Sequence, residues 1–332
     1  MHWMDRVQVW ALKKRHCFKD GWGDLSVVDH VCDSIENPGP ILPLDLSWTD
    51  PTLVLGAELR LGSFTSPVPA LAERVAQGRV WWLHPADQDV RGMVVAFASW
   101  GDEGPTLRGR ILGPLVREGV SIVILENPYY GVRRPEGQIA GGLRTVEDFI
   151  RMQGTVFEEG RALLSWAQRT VDAPVAVFGF SMGGHIGATV TTAMRNTPLV
   201  VAAPPLCPSE PMSEGPLSVC LDWDALGGRN PKTIGRWIET MDRFDLRQLP
   251  APRRPELTRV IGCSQDGLVP ATHALEIAEH WALPFEWQQV GHVGVVLTRG
   301  RVLRRALRDV MGIPQRGRRP ALLGAVETSR TG

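Results

Sequence analysis

Val175-Ala176-Val177-Phe178-Gly179-Phe180-Ser181-Met182-Gly183-Gly184, continued by small, helix-compatible residues to Thr192, decides the fold of this chain. A short β-branched and aromatic run enters Gly-x-Ser-x-Gly and leaves it as a helix, so the segment reads as strand, very tight turn and helix with Ser181 at the apex. The neighbouring positions are glycine because a serine in a strained backbone conformation leaves no room for a Cβ beside it. That turn projects the hydroxyl from the sheet edge. It also leaves the Met182 N–H at a helix N-terminus, where it can hold a developing negative charge. A bare Gly-x-Ser-x-Gly recurs by chance in a glycine-rich chain; the strand before it and the helix after it give it meaning here.

Working outward, Met93–Ala98 is a continuous apolar run and Val120–Leu125 a second, largely apolar one, with helices expected at about Leu107–Glu118 and Leu143–Thr170. Beyond the serine come the runs Leu199–Ala202, Leu257–Cys263 and Phe285–Val290, with helices at about Ala271–Trp281 and Val295–Val310. Buried runs alternating with helices predict parallel strands covered on both faces. Ahead of them, Glu58–Phe64 alternates polar with apolar, as an edge strand does, and Val80–Leu83 reads as its antiparallel partner. The stretch Pro204–Pro255 breaks the rhythm. Rich in Pro, Gly and Trp, with one helix around Thr233–Phe244, it reads as a small cap inserted over the carboxyl edge of the sheet, where such folds bind ligands. The predicted organisation is an N-terminal helix and Pro-rich extension (1–56), an α/β domain (57–314) with its cap at about 204–255, and a disordered tail (315–332).

A serine hydroxyl is a weak nucleophile until a base takes its proton, and the base needs an acid to orient it. Both follow Ser181 in the chain. The strand ending at Cys263 runs into Ser264-Gln265-Asp266-Gly267, and the next strand ends in Gly291-His292-Val293-Gly294. Serine, then Asp266, then His292, each after a strand, is the order of the α/β-hydrolase fold. His185 lies on the helix behind the serine and reads as a packing or capping residue. His273 and His280 fall within a helix, and Asp222 and Asp224 sit in the cap. A second oxyanion donor is expected from the loop Ser99-Trp100-Gly101-Asp102, with the Trp100 N–H joining that of Met182. The loop Glu126-Asn127-Pro128-Tyr129-Tyr130-Gly131-Val132-Arg133 opens on the same sheet edge and holds both tyrosines of the chain. Structural bracing of the loop is the favoured reading; in the other, Tyr129, Tyr130 and Arg133 are substrate contacts, with Arg133 or Arg134 toward a carboxylate or phosphate.

Composition narrows the function classes. The chain has 332 residues, of which 43% are hydrophobic and 22% charged, as in an ordinary soluble enzyme. Zero formal net charge gives no electrostatic case for nucleic acid. Five cysteines without a CxxC spacing read as free thiols rather than a zinc site or disulfide framework, and no metal or organic cofactor is implied. The first helix carries Trp3, Val7 and Trp10 at helical spacing with Lys13, Lys14 and Arg15 just beyond. Membrane contact and docking on the core both fit this pattern, docking the better. Residues 1–20 do not read as a signal peptide, no later stretch reaches about 18 apolar residues, and a cytoplasmic location is expected.

Glu-Asn-Pro-Tyr-Tyr-Gly-x-Arg at 126–133, Ser-Met-Gly-Gly-His at 181–185, Gly-Trp-Gly at 21–23 and Leu61-Gly62-Ser63-Phe64-Thr65-Ser66-Pro67 resemble an α/β-hydrolase family. Its eukaryotic members are called alpha/beta-hydrolase-domain-containing protein eighteen. The resemblance runs from about Gly21 to Leu307. It implies a serine hydrolase with Ser181, Asp266 and His292 as its triad, acting on acyl esters, lipids among them. The chain departs from the family pattern at Ser99, where a glycine stands, and in a shorter insertion between Ser181 and Asp266. Apolar cap residues such as Leu206, Leu217 and Trp237 favour an acyl chain or aromatic acyl group over a sugar or charged peptide. The expected activity is hydrolysis of a carboxylic ester or thioester. An acyltransferase or peptidase using the same triad, or a catalytically silent scaffold that binds a ligand or partner, are the alternatives.

Overall fold

Apolar runs with no polar alternation have to be covered on both faces, and here they form the centre of one sheet. The computed structural model describes residues 2–314 other than 14, 15, 55, 87 and 195; the tail expected beyond 314 lies outside the described residues. The strands are β1 (Ser47–Trp48), β2 (Thr52–Val54), β3 (Ala57–Thr65), β4 (Gln77–Pro85), β5 (Gly92–Phe97), β6 (Val120–Leu125), β7 (Val175–Phe180), β8 (Leu199–Ala202), β9 (Thr258–Cys263) and β10 (Phe285–Gln288). They lie in the order β1-β3-β4-β6-β5-β7-β8-β9-β10, with β2 also paired to β3. From β6 to β10 every pairing is parallel, whereas β4 joins β3 and β6 antiparallel. Every residue of β5, β6, β7 and β8 is buried.

The helices are α1 (Trp3–Lys13), α2 (Val27–Glu36), α3 (Glu73–Ala76), α4 (Thr106–Leu112), α5 (Val146–Thr170), α6 (Met182–Thr192), α7 (Ser209–Ser213), α8 (Pro231–Met241), α9 (Ala271–His280), α10 (His292–Thr298) and α11 (Gly300–Met311). The start of α5 is set by a capping box. Thr145 Oγ1 accepts the Asp148 N–H at 3.0 Å while Asp148 Oδ2 accepts the Thr145 N–H at 3.1 Å. The carbonyls of Gly21 and Trp22 take the next first-turn N–H groups, those of Val146 and Glu147, so the Gly-Trp-Gly segment is a seat for this helix. Trp22 also donates Nε1–H to the Leu226 carbonyl in the cap.

Three sequence expectations change. β3 is not an outer edge, because short strands from the Pro-rich segment cover it; Trp48 fixes that segment by packing 5.3 Å from both Trp82 and Trp166. Strands of two or three residues carry no readable period. Residues 47–48 and 52–54 of the expected extension are thus strands of the same sheet. Helix α2 was not expected, and it packs along α5 through Val27, Val28, Val31 and Ile35. The single helix expected over 295–310 is two, α10 and α11, divided at Arg299, and α10 begins earlier, at His292.

The sheet order places the site. From β5 the chain moves to β6 on one side, then crosses to β7 on the other, and from β7 it continues outward to β8. The loops after β5 and β7 therefore diverge and leave a crevice between them at the carboxyl edge, the position at which open α/β sheets bind ligands.

Candidate active site

Ser181 follows β7 directly and precedes α6, with φ 54° and ψ −127°, a conformation a side-chain-bearing residue holds only under constraint. The constraint is close packing. A Cβ on Gly179 would lie 2.0 Å from the Gly183 carbonyl oxygen, and one on Gly183 would lie 2.5 Å from that of Phe97. Only glycine at both positions lets the turn close against itself and against β5. The carbonyl of Ser181 accepts the N–H groups of Gly184 and His185, so the first N–H of α6, that of Met182, has no acceptor within the helix.

Asp266 and His292 come together from the loops after β9 and β10. His292 Nδ1–H donates to Asp266 Oδ2 at 2.6 Å, with both side chains buried. Asp266 Oδ1 accepts the N–H groups of Leu268 and Val269, each at 2.9 Å, which fixes the carboxylate plane. The imidazole lies 4.8 Å from the ring of Phe180, the residue before the serine. With Nδ1 held as the donor, Nε2 is the nitrogen left to accept a proton, so the pair can serve as an oriented general base.

Trp100 and Met182 line one cavity with Ser181, together with Phe149, Met212, Leu217 and Val269. The cavity is small, about 40 Å³, and largely apolar. The loop after β5 is held from three sides. Gly101 N–H donates to Tyr130 Oη at 3.2 Å, Trp100 Nε1–H donates to the Gly141 carbonyl at 3.1 Å, and Asp102 pairs with the buried Arg108 at 2.8 Å. Arg108 in turn donates to the carbonyls of Ala96 and Leu125, tying this loop to the ends of β5 and β6.

In the Asn-Pro-Tyr-Tyr-Gly loop, Arg133 is not placed as a substrate contact, the less favoured of the two expectations. Its guanidinium is fully buried, forms two hydrogen bonds to Glu159 at 2.8 and 2.6 Å, and donates to the carbonyls of Val75 and Glu126. Nothing of it is left to meet a substrate. Tyr130 is buried with its hydroxyl on Gly101, and Tyr129 is buried as well, so neither faces the crevice as a free contact. Burial also pushes the neighbouring Glu126 carboxyl up to about 7.

The alternative histidines are otherwise engaged. His185 lines the same cavity, but its Nδ1 lies 3.2 Å from the Pro205 carbonyl, and burial lowers its pKa to about 4, leaving it neutral. His273 accepts the Leu206 N–H and faces Glu210. Two residues at the site escaped the sequence reading. Gln153 of α5 lines the cavity, and Asp5 of α1 contacts the Asp266 and His292 loops. A polar position on the buried face of a helix was the available signal for Gln153; for Asp5 there was none.

Comparison with known proteins agrees with this architecture. A family model described as alpha/beta hydrolase domain containing 18 matches residues 15–231. Among solved structures, acetyl xylan esterase 1 from Thermoanaerobacterium sp. JW/SL YS485 is similar with a TM-score of 0.61 at 13% identity, over 91% of this chain and 98% of that one. An acetyl xylan esterase from Paenibacillus sp. R4 follows at 0.58 and 15% identity, over 89% and 97%. An esterase from an Arctic intertidal metagenomic library is similar at 0.54 and 14%, over 80% and 99%. At these identities the likeness is one of fold.

Proposed function

The chain belongs to the alpha/beta hydrolase domain containing 18 family, and from that premise we propose that it is a serine hydrolase cleaving carboxylic esters through an acyl-enzyme on Ser181. The observation that carries this reading is the Asp266–His292 pair lying against Phe180 beside the strained Ser181 turn. In this mechanism Ser181 Oγ attacks the ester carbonyl while His292 Nε2 takes its proton. Asp266 holds the imidazole in the required tautomer and stabilises the cation that forms. The N–H groups of Met182 and Trp100 stabilise the oxyanion. His292 then protonates the leaving alcohol, and a water activated by His292 releases the acid.

The cavity supports a statement about the acyl group. Its walls are apolar, and its volume is far below the roughly 300–1,000 Å³ of sites for larger ligands. A short acyl group suits it as it stands, and a long chain requires the cap residues Met212 and Leu217 to move. No described helix is long and apolar enough to cross a membrane; the setting we propose is cytoplasmic.

A fluorophosphonate probe tests the reading. Stoichiometric labelling is expected for wild type and lost in Ser181→Ala and His292→Ala, and p-nitrophenyl acetate is expected to turn over faster than p-nitrophenyl esters of long acids. Well-folded wild type that neither labels nor hydrolyses would leave the silent-scaffold alternative standing.

A further inference from the structure

The first helix of the chain reaches the site through one side chain. Asp5 is fully buried although its helix lies on the surface, with Trp3, Val7 and Trp10 exposed on the other side. Its Oδ2 accepts the N–H groups of Gly267 and His292, each at 3.0 Å, and its Oδ1 accepts the N–H of Val293, also at 3.0 Å. Gly267 follows Asp266 directly. One carboxylate, 262 and 287 residues away in the chain, therefore joins the loop of the acid to the loop of the base.

The fit is specific. Helix α10 starts after Gly291, which has no side chain to satisfy the first N–H groups of that helix. A Cβ there would stand 2.7 Å from Asp5 Oδ2 and 2.5 Å from the Cβ of His2. The glycine thus makes room for a carboxylate from α1 to cap the helix in place of a local residue. Hydrogen bonds from N–H groups to an ionised carboxylate are the strong kind, and without it the buried N–H of His292 and the partly buried ones of Gly267 and Val293 lose their acceptor.

We infer that Asp5 is a positioning residue for the Asp266–His292 pair. The inference rests on the reading of Ser181, Asp266 and His292 given above. Asp5 touches neither substrate nor the reacting atoms; it acts by holding the backbone from which the acid and the base both project. A displacement of about 1 Å in such a group costs on the order of a hundredfold in rate.

The test compares full-length wild type, Asp5→Ala and Asp5→Asn, each normalised to its folded fraction by circular dichroism. Labelling by the fluorophosphonate and hydrolysis of p-nitrophenyl acetate are both measured. Asp5→Ala is expected to lose about 30- to 100-fold in labelling rate and kcat, with KM within about twofold of wild type. Asp5→Asn falls between, since its single carbonyl oxygen keeps the Gly267 and His292 bonds and loses that from Val293. Sodium formate, which fits the vacated carboxylate site, restores part of the rate in Asp5→Ala and none in His292→Ala. Val7→Ala, on the exposed side of the same helix, behaves as wild type. Should Asp5→Ala not fold, a several-fold loss of kcat in Asp5→Asn carries the proposal. Wild-type kcat in the folded Asp5 variants, or a loss that only tracks unfolded protein, overturns it. Failure of wild type itself to label strikes the reading of Ser181 instead, and this inference with it.

Discussion

Replacing Arg133 by methionine separates a substrate-binding arginine from a structural one. The two hydrogen bonds to Glu159 lie where neither side chain has any exposed surface. Removing one partner of such a pair leaves an uncompensated charge in the interior and costs about 3–5 kcal/mol. The carbonyls of Val75 and Glu126 also lose their donor, each worth about 1–3 kcal/mol if left unsatisfied. These costs are not additive, and the net expectation is about 3–5 kcal/mol. Urea unfolding followed by tryptophan fluorescence measures it as a lower midpoint at unchanged slope. Adding Glu159→Leu removes the orphaned charge and recovers a large part of the loss, leaving the cost of the two carbonyls. KM for a neutral ester and for one bearing a carboxylate should be alike in wild type and in the folded variant. If Arg133→Met unfolds within about 0.5 kcal/mol of wild type, as surface substitutions do, and KM rises for the charged ester only, the buried-brace account is wrong.

Glu126 and His185 should shape the pH dependence of stability in opposite directions. Burial raises the carboxyl of Glu126 from 4.5 to about 7. Between those values the folded state holds a proton that the unfolded state has released, so stability falls as pH rises across that window, and Glu126→Gln removes the fall. Burial lowers His185 from 6.5 to about 4. There the unfolded state holds the extra proton, so stability rises with pH between about 4 and 6.5, a rise that urea midpoints in the Glu126→Gln background should expose. Gly179→Ala puts a Cβ 2.0 Å from the Gly183 carbonyl oxygen; a lower melting temperature, equivalent to about 3 kcal/mol or more, and loss of fluorophosphonate labelling are expected. Tyr130→Phe removes the acceptor of the Gly101 N–H and should lower kcat by about three- to tenfold, for roughly 1 kcal/mol of lost hydrogen bonding, with little change in KM for p-nitrophenyl acetate.

Local patterns carried a large part of the architecture. The strands Val120–Leu125 and Leu199–Ala202 coincide with their expected runs, because strands buried on both faces are mostly apolar; the one polar residue among them, Ser121, accepts the Trp82 Nε1–H at 2.6 Å. Helix ends were less legible. The start of α5 depends on the reciprocal Thr145–Asp148 cap, and the break between α10 and α11 falls at Arg299 within an otherwise helical pattern. Helix α2 escaped notice because its ten residues mix Asp, His and Ser with the valines that pack on α5.

The strained serine turn, the order of serine, acid and base, and the family motifs are written in contiguous residues, since each depends on backbone geometry over a few positions, and those were readable without coordinates. Which loops meet was not. Arg133 fitted both bracing and a contact to an anionic group in the sequence, and only the tertiary placement of Glu159 of α5 against its guanidinium decided where it points. Asp5 looked like one polar residue on an amphipathic helix. Its role exists only once the sheet has carried Gly267 and His292 to the same edge and Gly291 has left space for its carboxylate. A hydrogen bond is satisfied within about 3 Å whatever the number of residues between donor and acceptor, so such pairings belong to the tertiary structure and to no local stretch of the chain.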